Sequence, residues 1–206
     1  MSNSSKVVVV GAGIIGVTIA YELQRRGRNV VVIERDAPGK GASYGNMASI
    51  AITEFMPSSR PSVWRQMPKW LLDPEGPVSV RASYIPKLLP WFFRFLAVSR
   101  PSKLRELEAA GATLCHRVHE DLDALLRHTG LTDVLSAEGC LSIYASEDEF
   151  KADREHIELL ERFGFKHEIL TANAIRDLEP ALTRTIWGAV LLPQNRSIAD
   201  PYTLVV

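Results

Sequence analysis

The 206-residue sequence predicts an α/β fold that opens on a strand–turn–helix–strand unit and continues into part of an α+β domain with a mostly antiparallel sheet. Three observations carry that expectation. Val7-Val8-Val9-Val10 is a β-branched run with no polar face, which suits a strand buried on both sides in a parallel sheet. Gly11-Ala12-Gly13-Ile14-Ile15-Gly16 follows at once and leads into a segment whose Ile15, Ile19, Ala20 and Leu23 keep helical spacing. Asn29 to Ile33 then reads as a second buried strand, and from residue 138 onward short strands alternate with helices and loops.

Each piece of the first unit has a physical task. Gly11 permits the tight turn out of the strand, Gly13 lets a pyrophosphate approach the backbone, and Gly16 lets helix and strand pack closely. The free N–H groups and positive dipole end at the helix start hold phosphate. Arg25 and Arg26 suit the helix C-terminus, which Gly27 closes. Glu34 lies about twenty residues beyond Gly13 at the tip of the second strand, placed to accept from both ribose hydroxyls and to repel a 2′-phosphate. Order and spacing together make this a Rossmann-type dinucleotide site. They leave FAD and NAD both open. The glycine- and hydroxyl-rich stretch Pro38 to Ser49 offers a second anion-cradling loop, which suits a long cofactor extended across the sheet.

Composition removes other classes. Lys and Arg total 24 against 24 Asp and Glu, so no electrostatic footprint for nucleic acid exists. Two cysteines, Cys115 and Cys140, make neither a disulfide framework nor a structural zinc site. No apolar run reaches the roughly 18 residues of a transmembrane helix. Val7 to Ala20 is interrupted by glycines and followed by Glu22 to Arg26, so it does not read as a signal peptide. The sequons at Asn3 and Asn195 are then chance matches, in a reducing compartment.

Three regions follow in order: residues 1–54, the dinucleotide unit with its second glycine loop; 55–137, a helical connecting region; and 138–206, part of a substrate domain. Seven prolines between Pro57 and Pro90 predict short helices rather than one long element. Tyr84 to Val98 gathers Leu88, Leu89, Trp91, Phe92, Phe93, Phe95 and Leu96 with Lys87, Arg94 and Arg100 around them. That composition fits a helix packed on the protein body, or an interfacial helix that meets a membrane or a partner. Pro101 to His128 is predicted as the longest helix, capped by Ser102. Cys115, His116 and His119 share one of its turns without enough convergent ligands for a metal. Strands are expected over Gly139–Ala145, His167–Leu170 and Ile186–Leu192, with helices over Glu147–Gly164 and Thr171–Leu178. Asp200-Pro201 reads as a helix start with only five residues after it, so the chain is expected to be the N-terminal part of a longer protein.

The glycine motif Gly11 to Gly16, Glu34-Arg35 and Ser43-Tyr44-Gly45-Asn46-Met47-Ala48 together resemble the FAD-dependent amine and amino-acid oxidoreductases. Within them the sequence is most similar to the D-amino-acid dehydrogenases, with glycine oxidase and sarcosine oxidase as relatives. Glu138 to Tyr144, Leu178 to Leu182 and Gly188 to Pro193 follow that group's order. The resemblance implies FAD as cofactor, held by Gly11, Gly13, Ile14, Ile15, Gly16, Glu34, Arg35, Ser43, Asn46, Met47 and Ala48. Ser43 would meet the pyrophosphate, and the Asn46-Met47-Ala48 backbone would lie near the flavin. It also implies oxidation of the C–N bond of an amino acid or secondary amine, with hydride passing from the α-carbon to flavin N5. No catalytic base is assigned, because the neutral amine can itself supply the electrons. No arginine stands in a context that marks it as the carboxylate ligand. A dehydrogenase of this kind would be cytoplasmic, peripheral on the inner face of the membrane, and would meet its electron acceptor through residues 84–98. The alternative is a truncated, non-catalytic dinucleotide-binding or interaction module.

Overall fold

The computed structural model describes residues 6–182 and 185–206, without the side chains of Ala137 and Glu138. The sequon at Asn3 and the Glu138 side chain therefore lie outside the described residues. Two compact units form. One joins the chain up to Ala51 with Glu120–Glu147 and His167–Val206; the other joins Ile52–His119 with Asp148–Lys166.

The first unit begins with β1 (Val7–Val10), α1 (Ile14–Arg25) and β2 (Val30–Ile33). The strands pair in parallel, Val7 opposite Val30 through Val10 opposite Ile33. Gly27, in the left-handed conformation, ends α1: its N–H donates to the Gln24 carbonyl, and that of Arg28 to the Leu23 carbonyl. Within this chain the strands are not buried on both sides. Val8 is 53% and Val10 82% exposed, while Val7 and Val9 are half-buried. Helix α1 covers only the face that carries Val9, so alternate side chains of the apolar run stand in solvent.

The same unit holds a four-stranded antiparallel sheet built around β6 (Gly188–Ile198). Strand β4 (Leu135–Tyr144) pairs along it, as do β3 (Ser49–Ile50) and β5 (Glu168–Thr171) at its two ends. Both β4 and β6 run longer than the sequence pattern predicts. Pro193, which has no N–H, falls where the register slips between the pairs Glu138–Arg196 and Cys140–Leu192, and Gly139 takes φ +87° there. The strand thus continues past a proline through a bulge. Helix α7 (Ala172–Leu178) is capped as predicted, with Thr171 Oγ1 accepting from the Ala174 N–H at 3.4 Å. It packs Ile175 against Leu170, Ile186 and Ala189, the core of this sheet. Asn195 is buried within β6. Residues 201–205 form turns, held by the Asp200 carboxylate on the Tyr202 N–H and the Thr203 hydroxyl.

The second unit is helical. It contains α2 (Pro61–Leu72), α3 (Ile85–Val98), the first part of α4 (Pro101–Thr129), the body of α5 (Glu147–Ala152), and α6 (Arg154–Phe163). Ser102 does not cap α4: the helix already begins at Pro101, whose fixed φ suits the first turn, and Leu104 N–H donates to the Arg100 carbonyl. The single helix expected over Glu147–Gly164 is broken at Asp153, whose backbone leaves helical geometry at φ −93°, ψ 1°. Ile157, Leu159, Leu160 and Phe165 supply the core with Ile52, Leu104 and Ala112, each large side chain stabilising by about 1.5–3 kcal/mol on burial. Phe55 meets Phe163 and Phe165, and Trp64 meets Phe92 and Phe95 edge-on. His116 stacks on Phe165 and meets the Phe163 carbonyl at 2.9 Å, so its ring serves packing rather than converging with Cys115 and His119.

His156 is buried here, with Nε2 3.0 Å from the Thr53 carbonyl and Nδ1 3.5 Å from the Asp153 carboxylate. Asp153 raises its pKa above the ordinary 6.5, against the opposing effect of burial. A group raised in the folded state stabilises it fully below its unfolded pKa and loses that contribution as pH rises through the folded value. The unfolding midpoint is therefore expected to fall as pH increases from 6.5 through that raised value, and Asp153→Asn should flatten the fall. Thermal melts across the range check this; parallel pH profiles for the two proteins would show that the pair has no linkage to folding.

Candidate functional site

The site is assembled at the turn between β1 and α1. Gly11 takes φ +102°, a conformation that L side chains rarely adopt, and its N–H donates to the Ile33 carbonyl of β2. Gly13 occupies the N-cap of α1 in extended backbone, with no side-chain cap and no acid in the first turn. The positive end of the helix is therefore left to an external anion. A Cβ on Gly16 would sit 1.9 Å from the Gly11 carbonyl oxygen and 3.5 Å from Val9 Cγ1, so only glycine allows helix and turn to meet. A Cβ on Gly13 would sit 3.1 Å from Ser43 Oγ.

Two side chains from distant sequence complete the turn. Ser43 is buried, and its Oγ accepts from the Ile14 N–H at 2.9 Å, leaving the hydroxyl proton free to donate to a phosphate oxygen. Glu34 Oε2 accepts from the Ala12 N–H at 2.6 Å, while Oε1 accepts from the Arg35 and Asp36 N–H groups at 2.7 and 3.2 Å. These backbone donors, Ala12 first, hold the carboxyl below the usual 4.5. Three of its roughly four acceptor positions are thereby filled. In this geometry Glu34 keeps one position, on Oε2, for one hydroxyl rather than the two expected.

A cavity of about 430 Å³ brings together Gly11, Gly13, Ile14, Ile15, Gly16, Ser43 and Asn46 from the predicted set. Glu34 joins them through Ala12. Arg35, Met47 and Ala48 do not line it. The Arg35 guanidinium turns to Asp36 at 3.1 Å, and Met47 is 87% exposed. Ala48 has φ +51°, and its carbonyl accepts from Ile198 N–H where β3 enters the sheet. Asn46 shapes the loop, donating to the Ala42 carbonyl and accepting from the Ala48 N–H.

Sequence reasoning missed the anchor of this loop. Lys40 Nζ lies over the rings of Tyr44 and Tyr202 at 3.9 and 4.1 Å, and the two rings meet edge-on. Gly39 N–H donates to the Ala12 carbonyl, and its bare Cα faces Tyr202 and Val205. Tyr202 lies too far along the chain for any local pattern to reveal the contact.

The family described as DAO, FAD dependent oxidoreductase, matches residues 6–206. A D-amino-acid oxidase of Bradyrhizobium diazoefficiens is 30% identical over 98% of the chain and 48% of its own length. A D-amino acid dehydrogenase of Phenylobacterium zucineum is 33% identical over 93% of the chain and 46% of its own. The chain thus spans about half the length of these curated relatives. Its fold is similar to that of glycine oxidase from Bacillus cereus, with a TM-score of 0.58 at 18% identity, over 97% of this chain and 41% of that one.

The geometry ranks two substitutions. Gly16→Ala drives a methyl into backbone and should cost at least about 1–3 kcal/mol, the range for overpacking, and abolish dinucleotide binding. Gly13→Ala meets a hydroxyl that can turn aside and should cost less in stability. Chemical denaturation and FAD titration by fluorescence quenching check the order; equal effects would contradict the close approach of Gly16 to Gly11.

Proposed function

The chain belongs to the DAO family of FAD-dependent oxidoreductases, and from that premise we propose that it contributes the dinucleotide cradle of an enzyme that oxidises the C–N bond of an amino acid or secondary amine. The observation that carries the reading is the cradle itself: an uncapped α1 N-terminus, a Cβ-free approach at Gly13, and Ser43 seated on the Ile14 N–H. The residues fit a pyrophosphate at that turn and a ribose hydroxyl at Glu34. When bound, FAD supplies the hydride acceptor for loss of the substrate Cα–H, with the nitrogen lone pair forming the imine that water hydrolyses to an oxo acid and an amine or ammonia. The chain's own part is to neutralise the phosphates with backbone N–H groups and to hold the adenosine end through Glu34. The D-amino-acid names of the relatives favour an amino acid as substrate.

Incubation with FAD followed by gel filtration is expected to give protein-bound flavin absorbance. The gene product purified from its native cells should bleach that absorbance anaerobically on addition of a D-amino acid. Flavin-free protein whose fluorescence NADH quenches, or which NADH rather than FAD protects, would overturn the reading. Bound flavin that no amino acid or secondary amine in a D and L panel reduces would favour the non-catalytic module.

We further propose that the protein is peripheral on the cytoplasmic face of a membrane and meets its electron acceptor through α3, a reading that the exposed side chains of this helix favour. Ile85, Leu89, Trp91 and Phe93 are exposed, while Phe92 and Phe95 pack on Trp64. Lys87 and Arg94 are exposed on the same helix. Exposed aromatics beside cations suit a headgroup boundary rather than bulk water. No helix among the described residues is long and apolar enough to cross a membrane. Sedimentation with vesicles should retain the protein on anionic more than on zwitterionic lipid, and Phe93→Glu should release it. Equal partition of the wild type and the variant would remove α3 as the contact.

A further inference from the structure

One wall of the dinucleotide cavity comes from a loop rather than from α1: Ala42, Ser43 and Asn46 line it there. The loop is tied at both ends. Gly39 N–H donates to the Ala12 carbonyl, and the Ala48 carbonyl accepts from Ile198 N–H. Between these ties the backbone bonds stay within the loop, as from Tyr44 N–H to the Gly41 carbonyl, with Asn46 bridging Ala42 and Ala48. Among the described residues, polar and ring contacts carry residues 40–47 beyond the loop at two places. One is Ser43 Oγ on the Ile14 N–H at 2.9 Å. The other is Tyr202, whose ring meets Tyr44 edge-on while Lys40 Nζ lies 3.9 Å from the Tyr44 centroid and 4.1 Å from that of Tyr202. Tyr202 is itself fixed just beyond β6, because its N–H donates to the Asp200 carboxylate at 2.9 Å and its ring rests on the bare Cα of Gly39.

Ile14 is the first residue of α1, so its N–H has no acceptor within the helix and depends on Ser43. The hydroxyl reaches that N–H only while the loop keeps its place against the turn. An ammonium held by two ring faces, both within about 6 Å of their centroids, is the contact suited to keeping it there. We infer that Lys40 and Tyr202 are positioning residues for the pyrophosphate: with Tyr44 they seat Ser43 on Ile14 and so set the affinity of the cradle. Neither lines the cavity. The inference rests on the dinucleotide reading of that cavity and adds a dependence on a residue of the turn at 201–205. A lysine that acted on phosphate directly would work without Tyr202 and without Ser43, which separates the two roles.

The test takes two readouts on the protein: hydrogen exchange at the Ile14 amide without ligand, and calorimetric titration with ADP, which carries the pyrophosphate. Adenosine is the phosphate-free control. Lys40→Met keeps the length of the side chain and removes its charge, and Tyr202→Leu removes a ring face. Each is expected to speed Ile14 exchange and to weaken ADP by about threefold to thirtyfold, the equivalent of one cation–π contact, while leaving adenosine unchanged. Lys40 is exposed, so Lys40→Met keeps the fold should Tyr202→Leu lose it. Lys40→Arg and Tyr202→Phe, which retain the cation and the ring, should hold both readouts near wild type. In a Ser43→Ala background, Lys40→Met should add nothing to either. An Ile14 amide that Lys40→Met leaves unmoved in protein that binds ADP would overturn the inference alone. A loss of ADP affinity that persists in the Ser43→Ala background would also overturn it and make Lys40 a direct phosphate contact. Wild-type protein that binds no ADP would overturn the dinucleotide reading, and the claim on affinity with it.

Discussion

The close approach of α1 to the turn that precedes it governs the first unit. Gly16 lies against the Gly11 carbonyl with no room for a methyl group. That contact sets the helix axis so that its N-terminus opens on the cavity rather than on protein. It also leaves the turn short of side chains, so other parts of the chain must hold it. Ser43 reaches the Ile14 N–H from the second loop, Glu34 reaches the Ala12 N–H from the end of β2, and Gly39 reaches the Ala12 carbonyl. The open helix N-terminus is a consequence of a packing constraint, satisfied by three contacts from the thirty residues that follow.

What was legible in the sequence was mostly local. The β1–α1–β2 unit, the cap at Thr171 and the long α4 all follow from periodicity and terminal residues within a few positions. The antiparallel sheet was expected, but its strand lengths were not, because the bulge at Gly139 and Pro193 depends on two strands meeting across fifty residues. The break at Asp153 was hidden for a similar reason: the helical apolar pattern runs through it, while Asp153 turns its carboxylate to His156. The exposure of Val8 and Val10 marks another limit of pattern reading. A run of valines says that a strand forms, but not which segments cover its faces.

Within the candidate sites the same divide holds. The glycines were found from spacing alone, since each answers a backbone demand at its own position. Lys40 was not. In sequence it is one more loop cation, but two tyrosine faces hold it and thereby fasten the Ser43 loop to the turn at residues 201–205. Cation–π contacts of this kind are worth about 0.5–2 kcal/mol, enough to limit the loop's fraying without fixing it rigidly.

Glu34 shows how support and recognition share one group. Its lowered pKa keeps it ionised through the neutral range, so it acts only as an acceptor. The three backbone N–H groups that stabilise this charge also consume acceptor positions, leaving Oε2 with one. On the proposed function, a ribose hydroxyl arriving there would meet a carboxylate that cannot rotate away without releasing Ala12. Positional rigidity is therefore gained at the expense of free acceptor positions. The same fixed negative charge opposes a 2′-phosphate whatever cofactor length the second loop accommodates, because repulsion between like charges needs no hydrogen-bond geometry. On the proposed function, discrimination against a phosphorylated ribose would thus follow from the tie that holds the glycine turn to β2.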